Sequence, residues 1–169
     1  FLKDKHEERC RQAYLEWTKV IYTFDIEEAK NPVHPFKIVP PTKITPEHLA
    51  LLKQLASVRD LVWASVRDSV WASVWASVWA SVGDSVWASV GDSVGDSVWA
   101  SVWAYIGSLF PLSEWKYIDY SNPLFEIGKY PFQSVVDLWK LGLVPSFDGK
   151  IWRLHGGPNA KVLWEGKIK

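Results

Sequence analysis

Valine recurs at every fourth residue through the middle of the chain, and this spacing governs the fold prediction. Residues 57–104 are twelve tandem tetrapeptides of the form Ser-Val-x-x, in which valine always holds the second position. The last two positions are coupled, because Trp is always followed by Ala, and Arg or Gly by Asp. We therefore interpret the invariant valine as the structural position of each unit.

A period of four residues fits a strand better than a long helix. In a strand every valine points the same way. In a straight α-helix, by contrast, the row of valines rotates by about 40° per unit, so over twelve units it would pass all the way around the helix axis. We therefore predict a β-solenoid of four-residue sides, with about three square coils stacked about 4.8 Å apart. The alternative is a mainly α fold, with a long helix or helical hairpin through the repeat.

The N-terminal flank predicts a helical cap. Residues 3–24 have the three- and four-residue apolar spacing of an amphipathic helix, and Cys10 lies on its apolar face, where we expect it to be part of the core. A Pro-rich connector follows at residues 31–46. Thr45-Pro46 is typical of a helix start, and we expect this second helix to end near Ala56, although it could run on into the repeat.

The C-terminal flank predicts a small α+β unit. Residues 131–141 have a helical pattern that Gly142 would terminate, and Asp148-Gly149 is a strong hairpin signal. Residues 150–154 and 161–164 alternate like strands. We therefore divide the chain into an N-terminal helical segment with connector and capping helix, a tetrapeptide-repeat domain, and a C-terminal α+β cap, at residues 1–56, 57–104 and 105–169.

Charge and composition narrow the classes of partner. The 19 basic and 19 acidic side chains balance, so bulk charge favours neither nucleic acid nor an anionic membrane surface. The uncharged stretch at residues 69–83 is too short and too rich in serine to span a bilayer. One cysteine cannot form an internal disulfide, and no signal-peptide pattern is visible. We therefore expect a cytoplasmic protein that binds no nucleic acid and no membrane.

The twelve tryptophans are the most informative side chains, and seven of them lie in the repeat. Clustered aromatic side chains at outward positions mark contact surfaces. In the square-coil prediction, residues sixteen apart stack into an aromatic ladder of Trp71, Trp87 and Trp103. The predicted interaction surface consists of Trp71, Trp75, Trp79, Trp87 and Trp103. The alternative is that the flanking segments fold over these rings.

No catalytic or cofactor motif stands out, so we predict no cofactor and no metal site. The four histidines are scattered without ligand spacing. The preferred function is a non-enzymatic structural or interaction protein built on the tetrapeptide-repeat scaffold, with a protein partner or its own copies as ligand. One alternative is an enzyme or toxin with a site around Asp148, Arg153 and His155. Another is a ligand-binding module lined by aromatic side chains.

The repeat and the tail also carry a resemblance. The SVWA, SVGD and SVRD units closed by WAYIGSLFP, with GLVPSFDGKIWRLHGG and VLWEG after them, resemble a group of uncharacterised microbial proteins with Ser-Val-Trp-Asp or Gln-Val-Arg-Asp tetrapeptide runs. The resemblance covers roughly residues 57–169. It implies no particular activity, because no function is established for the group.

Overall fold

The computed structural model describes residues 6–13, 28, 31–69 and 95–168. Residues 6–13 are helical. The strands of the described ranges form one antiparallel sheet in the order β1-β2-β3. The remaining elements, in chain order, are a 3₁₀ helix (Pro35–Lys37), α1 (Pro46–Ser69), α2 (Gly95–Ser108), α3 (Gln133–Lys140), β1 (Leu143–Phe147), β2 (Trp152–Gly156) and β3 (Lys161–Gly166).

The prediction of a β-solenoid is wrong. The described parts of the repeat, residues 57–69 and 95–104, lie in the helices α1 and α2. The sheet belongs to the tail, and it is open, with β1 and β3 at its two edges. The helical alternative therefore describes both ends of the repeat. Residues 70–94 lie outside the described residues, and so does the greater part of the predicted aromatic ladder.

The drift of the valine row explains how this repeat forms a helix. Val58, Val62 and Val66 are all buried in the core. Three units turn the row by a total of only about 80°, which fits within an apolar face about 100° wide. Twelve units in one straight helix would carry the valines around all of its sides, but α1 contains only three complete units.

The first position of each unit reveals the same drift directly. Ser57 is exposed and Leu61 is half-buried, whereas Ser65 is 0% exposed. The third position moves the opposite way, from a half-buried Arg59 to an exposed Arg67. Positions that are equivalent in sequence are therefore inequivalent in the structure, as a rotation of about 40° per unit requires.

The first helix begins where predicted and ends later. Pro46 is its first residue, and the backbone N–H of Thr45 donates to Nδ1 of His48 (3.0 Å). The predicted end near Ala56 is wrong, because the helix continues for thirteen residues to Ser69. It does so because Leu52, Leu55 and the following valines form one uninterrupted buried stripe.

The second helix lies at the centre of the fold and is packed by α1, α3 and β1. Its residues 101–107 are all buried. Tyr105 stacks on Trp139 of α3, with ring centroids 5.0 Å apart, and its hydroxyl oxygen accepts from the backbone N–H of Val33 (2.7 Å). The serine hydroxyls of Ser65 and Ser101 are buried and have no hydrogen-bond partner among the described residues.

The tail confirms most of the predicted α+β unit. Gly142 follows α3 with a left-handed φ of 73°, and Gly149 adopts φ 90° in the turn between β1 and β2. The helix and the two predicted strands are present within a few residues of their expected bounds. The strand β1, which pairs with β2 from Leu143↔Gly156 to Phe147↔Trp152, was implied by the hairpin but not delimited.

One hydrophobic cluster extends across all three predicted regions, from Phe36 to Ala160. The expected boundaries at 56/57 and 104/105 fall inside α1 and α2. Within the predicted helix at residues 3–24, residues 6–13 are helical and exposed. Cys10 is therefore not a core residue, since its side chain is exposed.

Candidate interaction surface

The outward face of α1 presents a row of mostly exposed side chains. Lys53, Ser57, Asp60, Ala64 and Arg67, which we call the outer seam, follow one another at alternating spacings of four and three residues. This spacing keeps all five on one side of a helix. Four of them are exposed and Ala64 is half-buried. The outer seam is therefore a largely exposed stripe, which at Ser57 borders a cleft formed with residues 123–134.

A tryptophan borders the outer seam. Trp63 is 48% exposed, and the guanidinium carbon of Arg67, one turn later, lies 4.0 Å from the centre of its ring. Such a cation–π stack holds both side chains in place at modest entropic cost. Arg59 is stacked in the same manner over Phe147 of β1, at 4.8 Å.

Each arginine of α1 also pairs with the aspartate that follows it. Arg59 and Asp60 approach to 2.9 Å, as do Arg67 and Asp68. Adjacent residues on a helix do not face each other, so each pair is formed by the long arginine side chain bending over the helix surface. Asp60, the outermost carboxylate, is 84% exposed and remains accessible to another cation.

Tyr117 lies beside the C-terminal end of α1. Its hydroxyl donates to Oδ2 of Asp68 at 2.6 Å, and this hydrogen bond, followed by the one from Arg67, lowers the pKa of Asp68. Tyr117 has a left-handed φ of 64°, a conformation unfavourable for a bulky residue. Its ring is 60% exposed, so the strained backbone holds an aromatic side chain at the surface.

The predicted interaction residues lie elsewhere. Trp103 is only 6% exposed and belongs to the core of α2, so it does not lie on an outward surface. The other four, Trp71, Trp75, Trp79 and Trp87, lie outside the described residues. Trp63 was not singled out from the sequence. Placing residues 57–68 on a helical wheel would have identified it, because the three valines fix the inward direction.

Asp148, Arg153 and His155, which were considered as an enzyme site, do not form one cluster. Asp148 and Arg153 form an ion pair at 2.6 Å, and Glu165 lies 3.3 Å from the same guanidinium. The backbone N–H of Ile151, the Arg153 side chain and the backbone N–H of Lys150 together lower the pKa of Asp148 to about 2. This arrangement fixes the turn between β1 and β2.

His155 instead lies beneath the sheet surface, with both ring nitrogens engaged. Its Nδ1 lies 3.0 Å from the carbonyl oxygen of Ala160, and its Nε2 lies 2.7 Å from Oγ of Ser146. A carbonyl can only accept, so Nδ1 carries the proton and Nε2 accepts from the serine hydroxyl. Burial lowers the pKa of His155 and favours this neutral form.

The Ser146–His155 pair has the spacing of a nucleophile and its base. However, Ser146 is 0% exposed and His155 is buried, so no substrate atom reaches the serine oxygen in this conformation. The same pair stabilises the fold, because it joins β1 to β2 and holds Ala160 in a left-handed conformation at φ 46°. In the observed geometry the Ser146–His155 pair is therefore a structural contact within the sheet.

An open cleft of about 310 Å³ lies between α1 and the segment leading into α3. The hydroxyl of Tyr130 in its wall donates to the backbone oxygen of Ala104, and Lys129 is paired with Glu126 at 2.6 Å. Its polar groups are thus partly committed to contacts within the protein. Its lining residues are Gln54, Ser57, Val58, Pro123, Leu124, Phe125, Glu126, Lys129, Tyr130, Pro131, Gln133 and Ser134.

The described ranges contain no group of three or more His, Cys, Asp or Glu side chains placed to hold a metal ion. None of their helices combines the length and the apolar character required to cross a bilayer.

Comparison of the chain with protein-family models, with curated proteins and with solved structures gives no match.

Proposed function

We propose that this protein is a non-enzymatic interaction protein, and that it associates with its own copies through the outward face of α1. The observation that supports this proposal is the exposed Trp63 beside the outer seam, with Arg67 stacked on its ring. Tryptophan, tyrosine and arginine dominate the binding energy of protein interfaces, and this face presents all three, with Tyr117 at its end.

The edge strand β3 of the sheet is a second possible contact site, but it is protected against pairing with a strand of another molecule. Leu163 in β3 has no partner in β2, because Leu154 pairs with Trp164 while His155 pairs with Val162. A bulge of this kind, together with exposed lysines at both ends of the strand, is a common means of preventing edge-to-edge association. The face of α1 has no comparable protection.

The test is sedimentation velocity of the full chain over a concentration range. We expect a reversible shift to a larger species as concentration rises, and we expect Trp63→Ser to move that shift to at least about tenfold higher concentration, as for an interface hot spot. Val162→Ser is the matched control, since Val162 is exposed to nearly the same extent as Trp63 (50% against 48%) but lies in β3 and not on α1. A chain that stays monomeric throughout would refute self-association.

A further inference from the structure

We infer that the partner of the outer seam is a second copy of this chain, packed against the first with the two α1 helices antiparallel and a two-fold axis between Trp63 and Ala64. This inference rests on the proposed self-association and specifies its geometry. The spacing of the seam, the distribution of its charges and the size of its central residue support it.

The spacing of the outer seam suits a second helix. Side chains at alternating intervals of four and three lie along one side of a helix, and this is the stripe by which paired helices make contact, most often through apolar residues. Asp60, Ala64 and Arg67 follow that interval and lie opposite described residues of the second copy in a pair centred between Trp63 and Ala64. The valines of the inner face recur at a constant interval of four and lie on the opposite side of α1, where they are buried. One helix thus has two faces with two different periods, of which the inner one is buried and the outer one is mostly exposed.

The charges select the direction of pairing. Asp60 and Arg67 are equally far from the point between Trp63 and Ala64, by three and a half residues on either side. An antiparallel pair centred there places Asp60 opposite Arg67 of the second copy, and the symmetry repeats the contact. A parallel pair in register would place Asp60 opposite Asp60 and Arg67 opposite Arg67, and like charges across an interface disfavour association. The antiparallel pairing is therefore the one that the charges favour.

The centre of the seam is small enough for close approach. Ala64 lies on the proposed axis, and alanine allows two helices to pack at the short end of the usual range of about 8–10 Å between axes. Trp63 borders Ala64 on the side where Arg67 stacks. In the pair, the two copies of Trp63 meet on that side and cover the alanines, which buries the indole surface that is exposed in one chain.

The test is site-specific cross-linking in the full chain with Cys10→Ser, because Cys10 is exposed and would react itself. In this background Ala64→Cys should yield a covalent dimer with a short bis-maleimide. Lys53→Cys is the matched control on the same seam. In the antiparallel pair the two copies of position 53 are roughly 30 Å apart along the helix axes, at 1.5 Å per residue, and should not be linked.

A charge exchange provides an independent readout. Asp60→Arg and Arg67→Asp should each raise the dissociation constant by at least about tenfold, and the double variant should recover most of the loss. Recovery cannot come from pairing within one chain, because the double variant places a second arginine beside Arg59 and a second aspartate beside Asp68. Far-UV circular dichroism checks that each variant remains folded.

The outcomes separate the two proposals. Linking at position 64 but not at 53, with recovery in the double variant, supports the antiparallel pair. Equal linking at both positions indicates a parallel pair and overturns this inference while self-association stands. An associated chain without linking at 64, or without recovery in the double variant, also overturns it. A monomeric chain at every concentration overturns the inference together with the proposed function.

Discussion

Two serines at the same position of the repeat should respond very differently to the same substitution. We compare Ser57→Asp with Ser65→Asp. Ser57 is exposed, so its carboxylate remains in water and the change in unfolding free energy should stay within about 0.5 kcal/mol, as for ordinary surface substitutions. Ser65 is fully buried, so the carboxylate at this position would lose its hydration.

The magnitude at position 65 follows from its surroundings. The hydroxyl of Ser65 has no hydrogen-bond partner among the described residues, so no donor is ready to compensate a carboxylate there. An uncompensated buried charge costs about 3–5 kcal/mol. This is a large part of the total stability of a typical domain, which is about 5–15 kcal/mol. Burial would also raise the pKa of the new aspartate.

Urea denaturation followed by far-UV circular dichroism measures both variants. At pH 7 the midpoint for Ser65→Asp should fall strongly, and the midpoint for Ser57→Asp should barely move. The deficit at position 65 should shrink as pH falls through the raised folded-state pKa towards about 3.9, the value in the unfolded chain. Equal effects at the two positions would refute the helical rotation of the repeat, because all first positions of a four-residue solenoid are equivalent.

Three other predictions concern single positions. Ser101→Ala removes a buried hydroxyl without a partner among the described residues, and should leave stability unchanged or raise it by about 1 kcal/mol in thermal unfolding. Asp148→Asn should remove the part of the pH dependence of unfolding free energy that Asp148 contributes. The pKa of Asp148 is lowered to about 2, so its contribution is present above about pH 4 and disappears as pH falls towards 2, and urea midpoints of both proteins across this range would show the difference. Gly142→Ala and Gly149→Ala both face a left-handed backbone, which costs about 1–2 kcal/mol. Gly142→Ala should be the worse of the two because its new Cβ would lie 3.1 Å from Cβ of Ile38, whereas nothing lies within 4 Å at Gly149, and similar denaturation midpoints would contradict this.

Local chemistry made the tail predictable. Gly142 terminates α3 and Gly149 forms the hairpin turn, each with the positive φ that glycine tolerates. Asp148 reinforces that turn, because its carboxylate accepts from the backbone N–H groups of Lys150 and Ile151. These signals act over four or five residues and do not depend on the rest of the fold.

The repeat was mispredicted because its period was applied to twelve units at once. A drift of about 40° per unit excludes one straight helix through the whole array, but Val58, Val62 and Val66 show that three units remain on one face. The helix that begins at Pro46 already has a buried side before the repeat starts, since Leu52 and Leu55 are both buried. Continuation from a preceding helix outweighed the weak helix propensity of Ser, Val and Asp.

The exposure of individual tryptophans could not be predicted from the repeat. Trp63 and Trp103 occupy the same position of the repeat, yet one is 48% exposed and the other 6%. The difference arises because α2 is surrounded by α1, α3 and β1, which is a property of the tertiary arrangement. Likewise, the hairpin predicted from Asp148-Gly149 brings Ser146 close to His155, but their burial depends on what packs against the sheet.

The rotation of the repeat in α1 has a consequence for the evolution of the gene. Tandem repeats gain and lose whole units when DNA strands slip during replication. Each unit gained within α1 would lengthen the helix by about 6 Å and turn everything after it by about 40°. Residues of α1 such as Val66, now buried in the core, would move out of register with their neighbours. Selection on such a chain therefore acts on the number of units as well as on their residues, and a copy-number change of one is a structural mutation.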